Sequence, residues 1–368
     1  SRRERERERV MMASLLSYCP SSPGGIAAAL VLGFFTAVTS PLGVVRLLVL
    51  LALRLPLAAA RGVLSFLFPS LFWKSVQGEV VYVTGGAGGI GKLMSQKLAR
   101  LGAHVVLLDK NVDMLAAAKK EVAAVAAKGV KVHSVEVDLA DRQATYAAME
   151  KASELAGPAT MLINNAGIVT GKSLLEGSDD MQELTMAVNS TAHFWTVKAC
   201  LPAMMEADHG HIVTIASSAG LCGTPGLADY CASKAAAFFF DESIRMEMRK
   251  QGKHGVKTTC VCPFFIKTGM FEGASSKWPR LLPLLEPEWA ANKIISAVRC
   301  NQEVLVMPFA IHLAPICRAI LPVSVCDATV EWFGVLDSMN DFKGRGAGGK
   351  APYPVGSSVK TRSSPKVA

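Results

Sequence analysis

Hydrophobic and polar positions fall into three regimes along the chain. Between Val10 and Lys74 there is no Asp or Glu, and 26–57 is nearly continuous apolar sequence, broken by Gly33, Pro41, Gly43, Arg46, Arg54 and Pro56. From Lys74 to about Pro308, short β-branched runs alternate with longer Ala-, Leu- and Lys-rich stretches of helical period. After Asp341, Gly, Lys, Ser and Pro dominate, a composition that cannot build a core.

The middle regime predicts strands at 80–84, 104–108, 131–137, 161–164, 211–216, 256–262 and 303–307. It predicts helices at 90–101, 112–128, 142–156, 180–207, 230–250 and 288–299. Strict alternation of this kind implies right-handed crossovers, and so an α/β fold: one doubly wound domain whose seven-stranded parallel sheet carries helices on both faces. Ligands of such sheets bind beyond the carboxyl ends of the strands, where the strand order reverses. The stretch 268–287, rich in Gly, Pro, Trp and Leu, predicts a lid over those ends, with Met270, Phe271, Trp278, Leu281, Leu282, Leu284 and Leu285 as its apolar lining. A second apolar stretch, 304–322, has two readings, a packed terminal segment or a membrane contact.

The chain has 368 residues, 51% of them hydrophobic, and the excess lies mostly at the front. A helix needs roughly 20 apolar residues to cross a bilayer core. The front segment therefore predicts membrane attachment, as a spanning or re-entrant segment or as a shorter insertion followed by an interfacial helix with Arg46, Arg54 and Arg61 at the headgroups. A cleaved secretory signal is the rival reading, although the run is long for one. The net charge of +9 collects around this segment and in the tail, without a stripe of interleaved aromatics, so a membrane surface is the expected partner rather than nucleic acid. The nine cysteines show no Cys-x-x-Cys and no zinc-like His spacing, which predicts no metal site, reduced thiols and a domain facing the cytosol. The organisation expected is a leader at 1–25, an anchoring segment at 26–73, a catalytic domain at 76–308, an apolar extension at 309–340 and a basic tail at 341–368.

Thr84-Gly85-Gly86-Ala87-Gly88-Gly89-Ile90-Gly91 follows a predicted strand and opens a predicted helix. Its glycines allow backbone N–H groups to approach a pyrophosphate at the helix's positive end, making Gly85, Gly89, Ile90 and Gly91 candidate cofactor residues. Asp109 ends the second strand, where a carboxylate can accept from ribose hydroxyls and repel a 2′-phosphate. That favours NAD, while the adjacent Lys110 leaves NADP open. Asp138 follows the third strand and can either contact adenine or cap the next helix.

Tyr230 and Lys234 stand four apart on a predicted helix and so share a face. A nearby ammonium stabilises a phenolate, which would draw the phenol down from its usual pKa of about 10 and make it a usable general base. Ser217, after the fifth strand, supplies a hydroxyl to hold a substrate oxygen. Taken with Asn164-Asn165-Ala166-Gly167, these motifs resemble the classical short-chain dehydrogenases, in the family's order and from about Val76 to Pro308.

That resemblance implies a Rossmann domain, catalytic roles for Ser217, Tyr230 and Lys234, and a proton relay in which Asn189 holds a water near Lys234. It also implies cofactor contacts at Asn165, Ala166, Gly167, Pro263 and Thr268, and it permits a homodimer. Phe264 stands where many members have glycine. Within the family, His193-Phe194-Trp195-Thr196 and Asp229-Tyr230-Cys231-Ala232-Ser233-Lys234 resemble the membrane-anchored branch acting on retinoids and steroids. The expectation is a retinol/retinal oxidoreductase at the endoplasmic reticulum or lipid droplets. The alternatives are a hydroxysteroid or long-chain alcohol dehydrogenase, or an inactive scaffold.

Overall fold

The computed structural model describes residues 68–344 and, ahead of them, Val45, Leu48, Val49, Ala52, Pro56, Ala60 and Leu64, each in helix and exposed. The predicted leader, most of the anchoring segment and the tail beyond Gly344 lie outside the described residues. Among those described, no helix is long and apolar enough to cross a membrane.

Seven parallel strands form the sheet: β1 (Val80–Thr84), β2 (His104–Asp109), β3 (Val132–Glu136), β4 (Met161–Asn164), β5 (Gly210–Ile215), β6 (Val256–Pro263) and β7 (Val304–Met307), in the order β3-β2-β1-β4-β5-β6-β7. Residues pointing to opposite faces feed two cores. Val81, Val83, Val105, Leu107, Met161 and Ile163 pack in one; Tyr82, Val106, Leu108 and Leu162 pack in the other. Burial on both faces is why these strands read as unbroken apolar runs. Helices α1 (Gly89–Arg100), α2 (Val112–Ala124) and α7 (Pro287–Arg299) cover the first face. Helices α3 (Arg142–Ala156), α5 (Ala192–Glu206) and α6 (Ala228–Lys250) cover the second. Cys260 and Cys262 share one face of β6 and are core residues there, packed with Ala216.

The single helix expected at 180–207 is interrupted. It runs as α4 (Asp179–Met186), a π-helical turn (Ala187–Thr191) and α5. The wider turn admits an extra residue and sets Asn189 fully inside. After β7 the chain continues through α8 (Leu313–Ile320) and α9 (Val323–Trp332) into a strap over 335–344. The strap and α9 close on the lid: Lys343 N–H donates to Glu272 O (2.8 Å), Ser275 N–H donates to Ser338 O (3.0 Å), and Trp278 stacks on Trp332 of α9 at 4.9 Å. Residues 341–344, grouped with a solvated tail on composition, are thus packed against the domain.

Candidate active site

The strand order reverses between β1 and β4, and Thr84 ties their carboxyl ends together. Its buried hydroxyl donates to Ile163 O (3.3 Å) and accepts from the N–H groups of Asn165 (2.9 Å) and Ala166 (3.0 Å). The Asn165 amide donates to Thr84 O (2.9 Å) and Gly85 O (3.1 Å). Asn165 therefore braces the glycine turn with its side chain. The turn needs glycine for definite reasons: Gly89 has φ +52°, and a Cβ at Gly91 would overlap the Gly85 carbonyl. Gly88 caps α1 without a side-chain bond, so the first-turn N–H groups of this helix open toward the cleft. Ile90 turns its side chain into the core, leaving only its backbone at the cleft.

Asp109 accepts from Ala87 N–H and Asn111 N–H, both at 3.1 Å, so one carboxylate steadies the glycine turn and the end of β2. Asp138 is exposed and accepts from Ala140 N–H (3.0 Å). The cap of α3 is Asp141, which accepts from Ala144 N–H (2.9 Å), so the capping alternative for Asp138 is set aside. Burial lowers the Lys110 pKa, against the attraction of Asp138 and Asp109.

Tyr230, Lys234, Ser217 and Asn189 all lie buried. Lys234 Nζ donates to Ile215 O (2.7 Å) and sits 5.7 Å from the centre of the Tyr230 ring. Gly167 lies between the groups: a Cβ there would fall 3.3 Å from Asn189 Oδ1 and 3.5 Å from Lys234 Nζ. A side chain at that position would close the gap. Asn189 accepts from Ile168 N–H (2.8 Å) and donates to Ile168 O (2.9 Å) and to Ser233 Oγ (3.0 Å), pinning the loop after β4 to α6. Both of its amide hydrogens are thus bonded to protein. Ser217 Oγ accepts from Ala219 N–H (3.1 Å), while its own donation to Pro263 O is long, 3.4 Å, and easily exchanged for a better acceptor.

The electrostatics correct one expectation. Burial pushes the Tyr230 phenol up, with the Ser217 hydroxyl opposing it, so desolvation outweighs any pull from the ammonium and the phenol is protonated at neutral pH. Burial also lowers Lys234, to about 8. This is the state from which a phenol donates a proton to a carbonyl oxygen.

Over Tyr230 stands an apolar wall. Phe271 meets the Tyr230 ring edge-on at 5.7 Å, Phe265 lies 5.1 Å from Phe271, and Phe264 lies 4.6 Å from Phe265. Leu227, Leu284, Met339 and Phe342 complete it. Of the predicted lid lining, Phe271 and Leu284 join this wall, whereas Leu285 packs in the first core and Trp278 turns to α9. Met339 and Phe342 were not foreseen. The signal for Phe342 was slight, one aromatic at the start of a polar, glycine-rich tail; its ring now sits where any side chain at Gly171 would have to go.

The cleft suits a dinucleotide. The α1 N-terminus faces a gap whose far side is Thr268: a Cβ at Gly89 would find only Thr268 Cγ2, at 3.9 Å. Thr268 caps the following 3-10 turn without using its hydroxyl for the cap, and Pro263 ends β6 beside Ser217.

Comparison with known proteins agrees with this geometry. The sequence model of the short chain dehydrogenases matches residues 79–278. Epidermal retinol dehydrogenase 2 of Homo sapiens is 44% identical over 271 residues, covering 73% of this chain and 86% of its own. Estradiol 17-beta-dehydrogenase 11 of Rattus norvegicus is 40% identical over 250 residues, covering 68% of this chain and 82% of its own. A short chain dehydrogenase/reductase from Burkholderia phymatum, solved in complex with NAD, superposes with TM-score 0.60 at 25% identity, covering 67% of this chain and 94% of that one. A strand reversal braced by Thr84, a glycine turn at a helix N-terminus and a Tyr-Lys pair facing it therefore have their counterpart in a known lineage: the chain belongs to the short-chain dehydrogenase/reductase family, as an NAD(P)-dependent oxidoreductase acting on alcohols.

Proposed function

We infer that the substrate is a lipophilic alcohol/carbonyl pair, retinol and retinal, and that the enzyme works at a membrane or lipid-droplet surface with its catalytic domain toward the cytosol. The observation that carries this reading is the apolar wall of Phe265, Phe271, Leu284, Met339 and Phe342 around Tyr230, in a chain 44% identical to a protein named as a retinol dehydrogenase. A long polyene can bury along such a wall, at about 25 cal/mol per Å2 of apolar surface removed from water. Membrane attachment is supported by the acid-free apolar segment before Lys74 and by the exposed Phe68 and Leu71 near its end.

NAD fits Asp109, whose carboxylate would meet the ribose hydroxyls. The N–H groups at Gly85, Gly89, Ile90 and Gly91 would hold the pyrophosphate, Asp138 would lie by the adenine, and Thr268 and the backbone at Ala166, Gly167 and Pro263 would border the nicotinamide. When bound, the nicotinamide accepts or supplies the hydride exchanged with the carbinol carbon. The protein's own part is to place and protonate. Ser217 orients the substrate oxygen; Tyr230 takes the hydroxyl proton in oxidation and returns it in reduction. Lys234 grips the ribose and stabilises the phenolate, and Asn189 keeps Ile168 and Ser233 in register behind it, on the path along which protons would reach Lys234.

A second reading, hydroxysteroid oxidation, is favoured by the 40% identity to an estradiol dehydrogenase. Membranes containing the full chain, supplied with all-trans-retinol, estradiol and long-chain alcohols, each with NAD and NADP, separate the two. Retinol with NAD should give the highest kcat/KM. A higher value for estradiol overturns the retinoid assignment, and no turnover of any of them overturns both.

A further inference from the structure

Away from the catalytic cleft, a cavity of about 530 Å3 opens between the carboxyl ends of α1 and α7. Four cations line it, Lys97, Arg100, Lys293 and Arg299, with Trp73 and Ile295 among its apolar surfaces, and no lining residue is acidic. Two of its walls are fixed by contacts. The Arg299 guanidinium stacks 4.3 Å from the centre of the Trp73 ring and its Nε donates to Lys74 O (3.1 Å). The Trp73 indole donates to Ser296 Oγ (3.2 Å).

The ordinary explanation for basic residues here is complementarity with the helix dipoles, since Lys97, Arg100 and Arg299 stand in last turns. It covers neither Lys293, placed mid-helix, nor a hollow whose volume lies in the range of small-molecule sites, about 300–1,000 Å3. Lys97 is also paired with Glu288 at 2.6 Å, which still leaves a positive excess around the cavity.

Position decides the ligand class. The cavity takes Trp73 as a wall, and the chain arrives there from exposed apolar residues, Leu64, Phe68 and Leu71, the last 74% exposed. Positive charge over an aromatic floor, next to an apolar ramp, matches an amphiphile with an anionic head. We propose that this cavity binds the phosphate-bearing headgroup of an anionic membrane lipid, with the acyl chains running along Leu64, Phe68 and Leu71. The site rests on the membrane reading above, and it would fix how the catalytic domain is held to the surface, because Trp73 and Lys74 join the anchoring segment to α7.

The test uses the full chain in uncharged detergent micelles doped with phosphatidylserine or phosphatidylcholine, with inorganic phosphate as a third arm, read by native mass spectrometry and thermal midpoint. Phosphatidylserine should be retained and should raise the midpoint, whereas phosphatidylcholine should not. Arg100→Gln with Lys293→Gln should weaken retention roughly 25-fold, at about fivefold per cation, with NADH affinity unchanged. Equal retention of both lipids, or an unaffected double variant, overturns the site. Equal stabilisation by inorganic phosphate overturns the lipid assignment in favour of a soluble phosphate ligand. Carbonate extraction of the full chain from membranes tests the membrane reading separately, since micelle retention does not depend on its outcome.

Discussion

Gly89→Ala separates the two things a glycine can do in the turn. At φ +52° an alanine adopts a left-handed conformation costing about 1–2 kcal/mol. For a domain of this size that lowers the thermal midpoint by roughly 2–8 °C. The new methyl meets no protein atom closer than Thr268 Cγ2, 3.9 Å away, so the fold survives. It does, however, enter the gap through which a pyrophosphate would approach the α1 N-terminus. Losing one charge-assisted backbone bond costs about 1.5–3 kcal/mol, or roughly 10- to 150-fold in NADH affinity. Gly129→Ala is the matched control: φ is +86° and nothing lies within 4 Å of the added methyl, so strain is added far from the cleft. Fluorescence titration with NADH and a thermal scan of all three proteins read the outcome. Wild-type affinity in Gly89→Ala, or an equal loss in Gly129→Ala, refutes the placement of the cofactor cleft.

Asp109→Asn keeps an acceptor for Ala87 N–H while removing the charge, and should shift the NADP/NAD ratio of kcat/KM upward at least about tenfold; an unchanged ratio contradicts the role given to Asp109. Phe342→Ala removes a ring from the wall over Tyr230, worth about 2 kcal/mol of apolar burial, and should lower kcat/KM for retinol about 30-fold with NADH affinity unchanged, as read by steady-state kinetics. Asp241, buried on α6, is raised to about 7 by its burial, above its unfolded value of 3.8. Its contribution to stability is therefore complete below about pH 4 and lost as pH rises through 7. Asp241→Asn should flatten this dependence, gaining up to about 4 kcal/mol at pH 8.5 relative to pH 4 in urea unfolding, and a parallel pH profile contradicts it.

The sheet was legible because a parallel strand buried on both faces must be apolar at nearly every position, as β1 is and as β2 is between its polar ends. The glycine turn was legible because its geometry admits no side chain at Gly91. What could not be read comes from tertiary context. The π-helical turn at Asn189 adds a residue to a helix whose apolar spacing runs on unbroken, and the partners Asn189 meets from it, Ile168 and Ser233, lie elsewhere in the chain. The cap of α3 is Asp141 and not Asp138, a shift of three residues that composition does not mark. Phe342 closes the wall over Tyr230 from a stretch whose glycines and lysines indicated solvent. The Tyr230 phenol was expected to be governed by its ammonium neighbour, and the packing of Leu227, Phe265 and Met339 around it made desolvation the larger effect.

The most direct test of the account is Tyr230→Phe in the full chain, assayed in membranes with all-trans-retinol and NAD. The phenyl ring keeps the edge-on contact with Phe271, so NADH should bind as in the wild type, while turnover should fall by at least about 100-fold because no group remains to move the proton. Retinal formation at a rate near that of the wild type, with NADH binding intact, would contradict the assignment of Tyr230 as the acid and base of this enzyme.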